Sequence, residues 1–74
     1  MKRIAVYAGS FDPPTLGHYY MIKEASRMFD EVVVAVGVNP GKKTMFSVDE
    51  RLEMLRQVAS SFPNVRTDSF VNQY

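Results

Sequence analysis

Gly9-Ser10-Phe11-Asp12-Pro13-Pro14-Thr15-Leu16-Gly17-His18 joins an apolar run to an amphipathic one and carries the chain's single histidine. Upstream, Ile4-Ala5-Val6-Tyr7-Ala8 is a short apolar run of the kind that fills a buried strand, and it stops at a glycine. Downstream, a helical period takes over. The junction holds two glycines, two prolines, Ser10 and Thr15, residues that interrupt regular structure and leave main-chain N–H groups free to face an anion. A strand-to-helix junction of this composition predicts a phosphate-handling loop.

The helical period predicts a helix from about Gly17 to Phe29 and places His18 on it. At about 100° per residue, Met21, Ile22, Ala25, Met28 and Phe29 fall within about 80° of the His18 direction, while Lys23, Glu24 and Arg27 lie opposite. His18 therefore shares the core-facing stripe, in the first turn, above the carboxyl end of the preceding strand. Open α/β sheets bind ligands at that edge, where a helix amino terminus offers unpaired N–H donors to a phosphate. A lone histidine on an apolar face is more often a satisfied core residue. Gly17, which permits close approach of a ligand, and the hydroxyl-bearing loop favour the ligand reading here.

Beyond the junction, Val32 to Val38 is continuously apolar, as in a central parallel strand covered on both faces. Strand, helix and strand make a βαβ unit. Asn39-Pro40-Gly41 closes the second strand and delivers Lys42 and Lys43 to the same carboxyl edge as Ser10. A lysine pair after a turn is more often a solvated surface feature. Beside the first loop, Lys42 becomes a candidate point-charge partner for a substrate phosphate, with Lys43 as second choice.

Ser47-Val48-Asp49-Glu50 reads as a capping box opening a second helix. Val48, Leu52, Leu55, Val58, Ala59 and Phe62 form its apolar stripe, and Arg51 sits close to that stripe, one turn in. Arg51 has two readings: it pairs with a carboxylate under the loop, or it faces the active edge. Val65 to Val71 alternates like a third, less buried strand. The order β-α-β-α-β is one half of a Rossmann-like, doubly wound parallel sheet.

Composition bounds the function. Of the 74 residues, 46% are hydrophobic and 23% charged, which argues for a folded globular chain and against disorder. A net charge of +1, with no Lys/Arg run longer than two, argues against a nucleic-acid or membrane-surface protein, so phosphate binding must be local. Without cysteine, no disulfide or thiolate metal site is available. The first apolar run is too short for a signal-peptide core, and none approaches the roughly 20 residues of a membrane span, so a cytoplasmic location is expected. A chain of this length buries only about 60% of its unfolded surface. The expectation is one domain over residues 1–74, incomplete as a stand-alone fold.

Neither a Gly-x-Gly-x-x-Gly fingerprint nor a Walker lysine is present, which argues against a dinucleotide oxidoreductase and an ordinary P-loop ATPase. Gly17-His18 at the helix start leaves a gap beside an imidazole, suiting a nucleoside triphosphate whose α-phosphorus reacts. The stretch Ser10-Phe11-Asp12-Pro13-x-Thr15-x-Gly17-His18 resembles the signature of the nucleotidyltransferases that transfer AMP or CMP to a phosphate. With the second motif, Lys42-Lys43-x-Met45-Phe46-Ser47-x-x-Glu50-Arg51, the chain is similar over nearly all its length to the amino-terminal half of the phosphopantetheine adenylyltransferases.

The resemblance implies adenylyl transfer from ATP to 4′-phosphopantetheine, giving dephospho-coenzyme A and pyrophosphate. It implies that His18 stabilises the pentavalent α-phosphate, with Gly17 beside it on the ATP side. Ser10 and the Phe11 amide would contact ATP phosphates and the acceptor phosphate, Lys42 would hold the acceptor phosphate, and Tyr74 would fall in the substrate pocket. Mg2+ carried on the triphosphate and a homo-hexameric assembly are implied in the same way.

Two positions depart from the pattern. Ser10 stands where threonine is commoner, which keeps the hydroxyl. Leu16 stands where the pantetheine enzymes usually carry asparagine, and Pro13-Pro14-Thr15-Leu16-Gly17-His18 drifts toward the nicotinate mononucleotide adenylyltransferases, which usually have histidine at the position of Thr15. The lysine motif restores the preference for phosphopantetheine. The family's further phosphate-binding arginines follow the third strand and are not in these residues. The non-enzymatic alternatives are a half-domain that pairs with another chain or with itself to complete the sheet, and a catalytically incomplete nucleotide-binding fragment.

Overall fold

The computed structural model describes residues 1–71. The elements are β1 (Ile4–Gly9), α1 (Leu16–Met28), β2 (Glu31–Val38), α2 (Val48–Ala59) and β3 (Val65–Val71). The strands form one parallel sheet in the order β1-β2-β3, with Ala5 opposite Val32 and Gly9 opposite Val36 on one side, and Val32 opposite Val65 and Val38 opposite Val71 on the other. Alternation of strand and helix with β2 in the middle is the expected α/β architecture.

Both helices start on side-chain caps. Thr15 Oγ1 accepts the main-chain N–H of His18, and Ser47 Oγ accepts that of Glu50, so each helix has one of its free amino-terminal donors satisfied at once. Thr15 as the cap moves the start of α1 to Leu16, one residue before the position read from the sequence.

Ile22 of α1 and Leu55 of α2 are fully buried in the cluster that holds Val32, Val34 and Val36 of β2. These valines are on one face of the strand, so both helices cover that face. Fully burying each such side chain contributes about 1.5–3 kcal/mol, which makes this seam the principal source of cohesion.

Coverage on one side corrects two expectations. Val33 and Ala35 of β2 lie on the opposite face, where neither helix packs; their low exposures of 9% and 8% follow from the strand's central position between β1 and β3. β1 is an outer strand rather than a buried one: Ala5 and Tyr7 pack against the core, while Ile4 and Val6 point to the bare face at 52% and 67% exposure. In α1 the apolar stripe is narrower than predicted. Ile22, Ala25 and Phe29 meet the core, and Met21 and Met28 at the stripe's margins are exposed.

Candidate functional site

The carboxyl ends of β1 and β2 open into a cavity of about 310 Å3. Ala8, Gly9 and Ser10 supply one wall, Gly37 and Asn39 the next, and Lys42, Thr44, Arg51 and Phe70 the remainder. Two expected residues, Ser10 and Lys42, therefore line one cavity although they arrive from different crossovers. The wall behind them is close-fitting: a Cβ at Gly37 would come within 3.1 Å of the Phe70 ring.

Phe11 turns the chain between Ser10 and the helix. Its φ of 48° lies in the left-handed region, which costs a non-glycine residue about 1–2 kcal/mol. Burial of its ring offsets that cost: the side chain is fully buried, edge-on to Tyr7 at 5.3 Å and to His18 at 4.7 Å between ring centroids. What Phe11 offers the loop is thus its main chain.

His18 is at the third position of α1 and closes a reciprocal cap. The Thr15 N–H donates to His18 Nδ1 over 2.8 Å, while the His18 N–H donates to Thr15 Oγ1 over 3.3 Å. Because Nδ1 accepts a main-chain proton, the neutral ring carries its own proton on Nε2. The histidine is therefore both a capping residue and a poised donor, and Nε2 has no protein partner among the described residues. Gly17 and His18 are not in the cavity lining; they stand beside it, joined to the Ser10 loop through the Phe11 ring. Tyr74 lies outside the described residues.

Two further residues carry the site: Asp12, which the sequence reading passed over, and Arg51, which it left between two readings. Asp12 clamps the two loops together: its carboxylate accepts the N–H of Met45 over 2.7 Å and that of Phe46 over 2.8 Å. Its place inside the first motif was the available signal. Arg51 is 3% exposed and resolves its two readings in favour of the edge. Its Nη1 donates to the Ser10 carbonyl over 2.9 Å and to that of Gly37 over 3.4 Å, and its Nε donates to the Ser47 carbonyl over 3.3 Å. Among the described residues no carboxylate pairs with it.

Around the site, charge is arranged for an anion. Lys42 and Arg51 line the cavity, and among the described residues no acidic side chain does. Among the described residues no group of three or more His, Asp or Glu side chains is placed to hold a metal. Glu50, at the start of α2, is held below the usual carboxylate range by the Ser47 main-chain N–H first and the Ser47 hydroxyl second, and belongs to the cap rather than the cavity.

The chain is similar in sequence and in fold to known proteins. The phosphopantetheine adenylyltransferase of Chromobacterium violaceum is 62% identical over the whole of this chain, which covers 44% of that protein. Its namesake from Neisseria meningitidis is 58% identical over 97% of this chain and 42% of its own length. The chain thus spans less than half the length of these curated relatives. Among solved structures, NadR protein in complex with NAD and AMP-PNP superposes with a TM-score of 0.83 at 21% identity, covering 100% of this chain and 22% of NadR. At that identity the match attests the fold alone. The family profile described as cytidylyltransferase-like matches residues 6–73, taking in both loops, most of β1 and the whole of β2 and β3, and the chain belongs to that family.

Proposed function

We propose that these residues form the phosphate-binding part of a phosphopantetheine adenylyltransferase, which transfers AMP from ATP to 4′-phosphopantetheine and releases pyrophosphate. The observation that supports it best is the shared cavity of Ser10 and Lys42 at the sheet edge, in a chain 58–62% identical to proteins of that name. Similarity of this order favours phosphopantetheine over nicotinate mononucleotide as acceptor.

The reaction asks for positioning and charge neutralisation more than for proton transfer. An ionised oxygen of the acceptor phosphate attacks the α-phosphorus of ATP; the new P–O bond forms as the bond to the β-phosphate oxygen breaks, and pyrophosphate leaves with that electron pair. In this reading the Lys42 ammonium offsets the acceptor's charge and the Ser10 hydroxyl orients it. The Phe11 amide meets ATP phosphate, and Gly17 gives the triphosphate room to approach. His18 donates its Nε2 proton in a hydrogen bond to a non-bridging α-phosphate oxygen, where negative charge grows in the pentavalent state. Mg2+ bound with the triphosphate would supply further charge neutralisation. A cytoplasmic location and hexameric assembly belong to the same proposal.

The test is pyrophosphate release by the full-length protein with ATP and each acceptor in turn. Turnover with 4′-phosphopantetheine is expected; turnover confined to nicotinate mononucleotide would reject the substrate assignment.

A further inference from the structure

We propose that Arg51 is a positioning residue that fixes the Ser10–Phe11 peptide plane, and that its charge is balanced by phosphate in the cavity instead of by a protein carboxylate. The proposal rests on the phosphate-binding reading above and extends it to a residue outside the set assigned there.

The first half follows from covalent geometry. Ser10 C=O and Phe11 N–H are the two ends of one planar trans peptide, so they point in opposite directions. Arg51 Nη1 holds the carbonyl end at 2.9 Å. Fixing that end fixes the direction of the Phe11 N–H. The left-handed φ at Phe11 makes such a clamp necessary, because the unrestrained chain would leave that region. One guanidinium plane also reaches the Gly37 carbonyl at the end of β2 and the Ser47 carbonyl at the start of α2, tying the loop to both elements. A lysine ammonium, whose donors radiate from one point, cannot span the three.

The second half follows from burial. Main-chain carbonyls satisfy the guanidinium's hydrogen bonds but not its charge, and an uncompensated buried charge is costly. The carboxylate nearest in sequence to the loop, Asp12, is committed to Met45 and Phe46, and that of Glu50 to the Ser47 N–H. Arg51 opens instead onto the cavity that holds Ser10 and Lys42. An anion there removes the penalty, so binding of phosphate and ordering of the loop are expected to support one another.

The experiment titrates ATP into the full-length protein and its R51K and R51M variants by calorimetry, and follows the Phe11 amide by NMR; neither readout needs the acceptor. R51M is expected to weaken ATP binding by about tenfold or more and to lose the ATP-induced Phe11 shift. R51K is expected to recover most of the affinity through its charge while the Phe11 shift stays depressed, a split that a merely structural role would not produce. If R51M fails to fold, R51K carries the test alone. Wild-type ATP affinity and an unchanged Phe11 shift in either folded variant would overturn the inference, as would a parallel loss of affinity and shift in R51K. Pyrophosphate release is measured separately with the wild-type protein: normal ATP binding without turnover on 4′-phosphopantetheine rejects the substrate assignment and leaves the Arg51 result to stand or fall on binding.

Discussion

The carboxylate of Asp12 accepts the main-chain N–H of Phe46 over 2.8 Å, so the loop after β1 is fastened to the loop before α2 by a side chain 34 residues away in sequence. With the Met45 N–H on its other oxygen, Asp12 makes the placement of Lys42 a property of the first loop. The two loops are one mechanical unit.

Asp12→Ala leaves both N–H groups without their charged acceptor. Hydrogen bonds to ionised groups contribute about 1.5–3 kcal/mol, and partial exposure of this pair brings the expected loss to about 2 kcal/mol in total. Urea denaturation should show it as a lower midpoint with an unchanged slope. In the full-length protein, KM for the acceptor should rise more than KM for ATP, because Lys42 is on the loop that is released.

His18 has two duties that one substitution can separate. His18→Gln keeps a side chain at the third helical position able to reach back to the Thr15 N–H, so the cap survives. His18→Ala loses the cap as well, at about 1 kcal/mol. Both are expected to lower turnover by on the order of 10²-fold with far less effect on ATP binding, because the proposed role of the Nε2 donor is to act on charge that develops in the transition state. Steady-state kinetics beside thermal melts of the two variants checks it: equal turnover losses with unequal stabilities are predicted.

Glu50 sets a pH dependence. The Ser47 N–H and hydroxyl hold its carboxyl below the ordinary carboxylate value, so the folded state prefers the ionised form. Its contribution is fully present above the unfolded-state value and is lost as the pH falls through the lower folded-state value. The affected window is therefore below about pH 4.5. Glu50→Gln should flatten that acid limb and leave the slope near neutrality unchanged, as read from thermal midpoints across the acid range.

The periods of the chain made the elements legible. Alternation from apolar runs to 3.6-residue stripes located three strands and two helices, and the turn residues located both loops. Which side of the sheet the helices cover was not legible, because Val32 to Val38 is apolar on both faces whatever packs there. The exposed Ile4 and Val6 follow from that one-sided coverage. Asp12 and Arg51 were obscure for a different reason: their partners are the main-chain groups of Met45, Phe46, Ser10 and Gly37, and peptide groups leave no mark in side-chain identity. His18 as a capping residue escaped a pattern that looks for Glu or Gln three residues after the cap.

The most direct measurement uses ATP labelled at its α-phosphorus, incubated with the full-length protein and 4′-phosphopantetheine. In-line attack on that atom predicts that the label passes into dephospho-coenzyme A in step with pyrophosphate release, and that Lys42→Met slows the passage chiefly through a higher acceptor KM. Label that stays in ATP, or appears only in free AMP, would contradict the account.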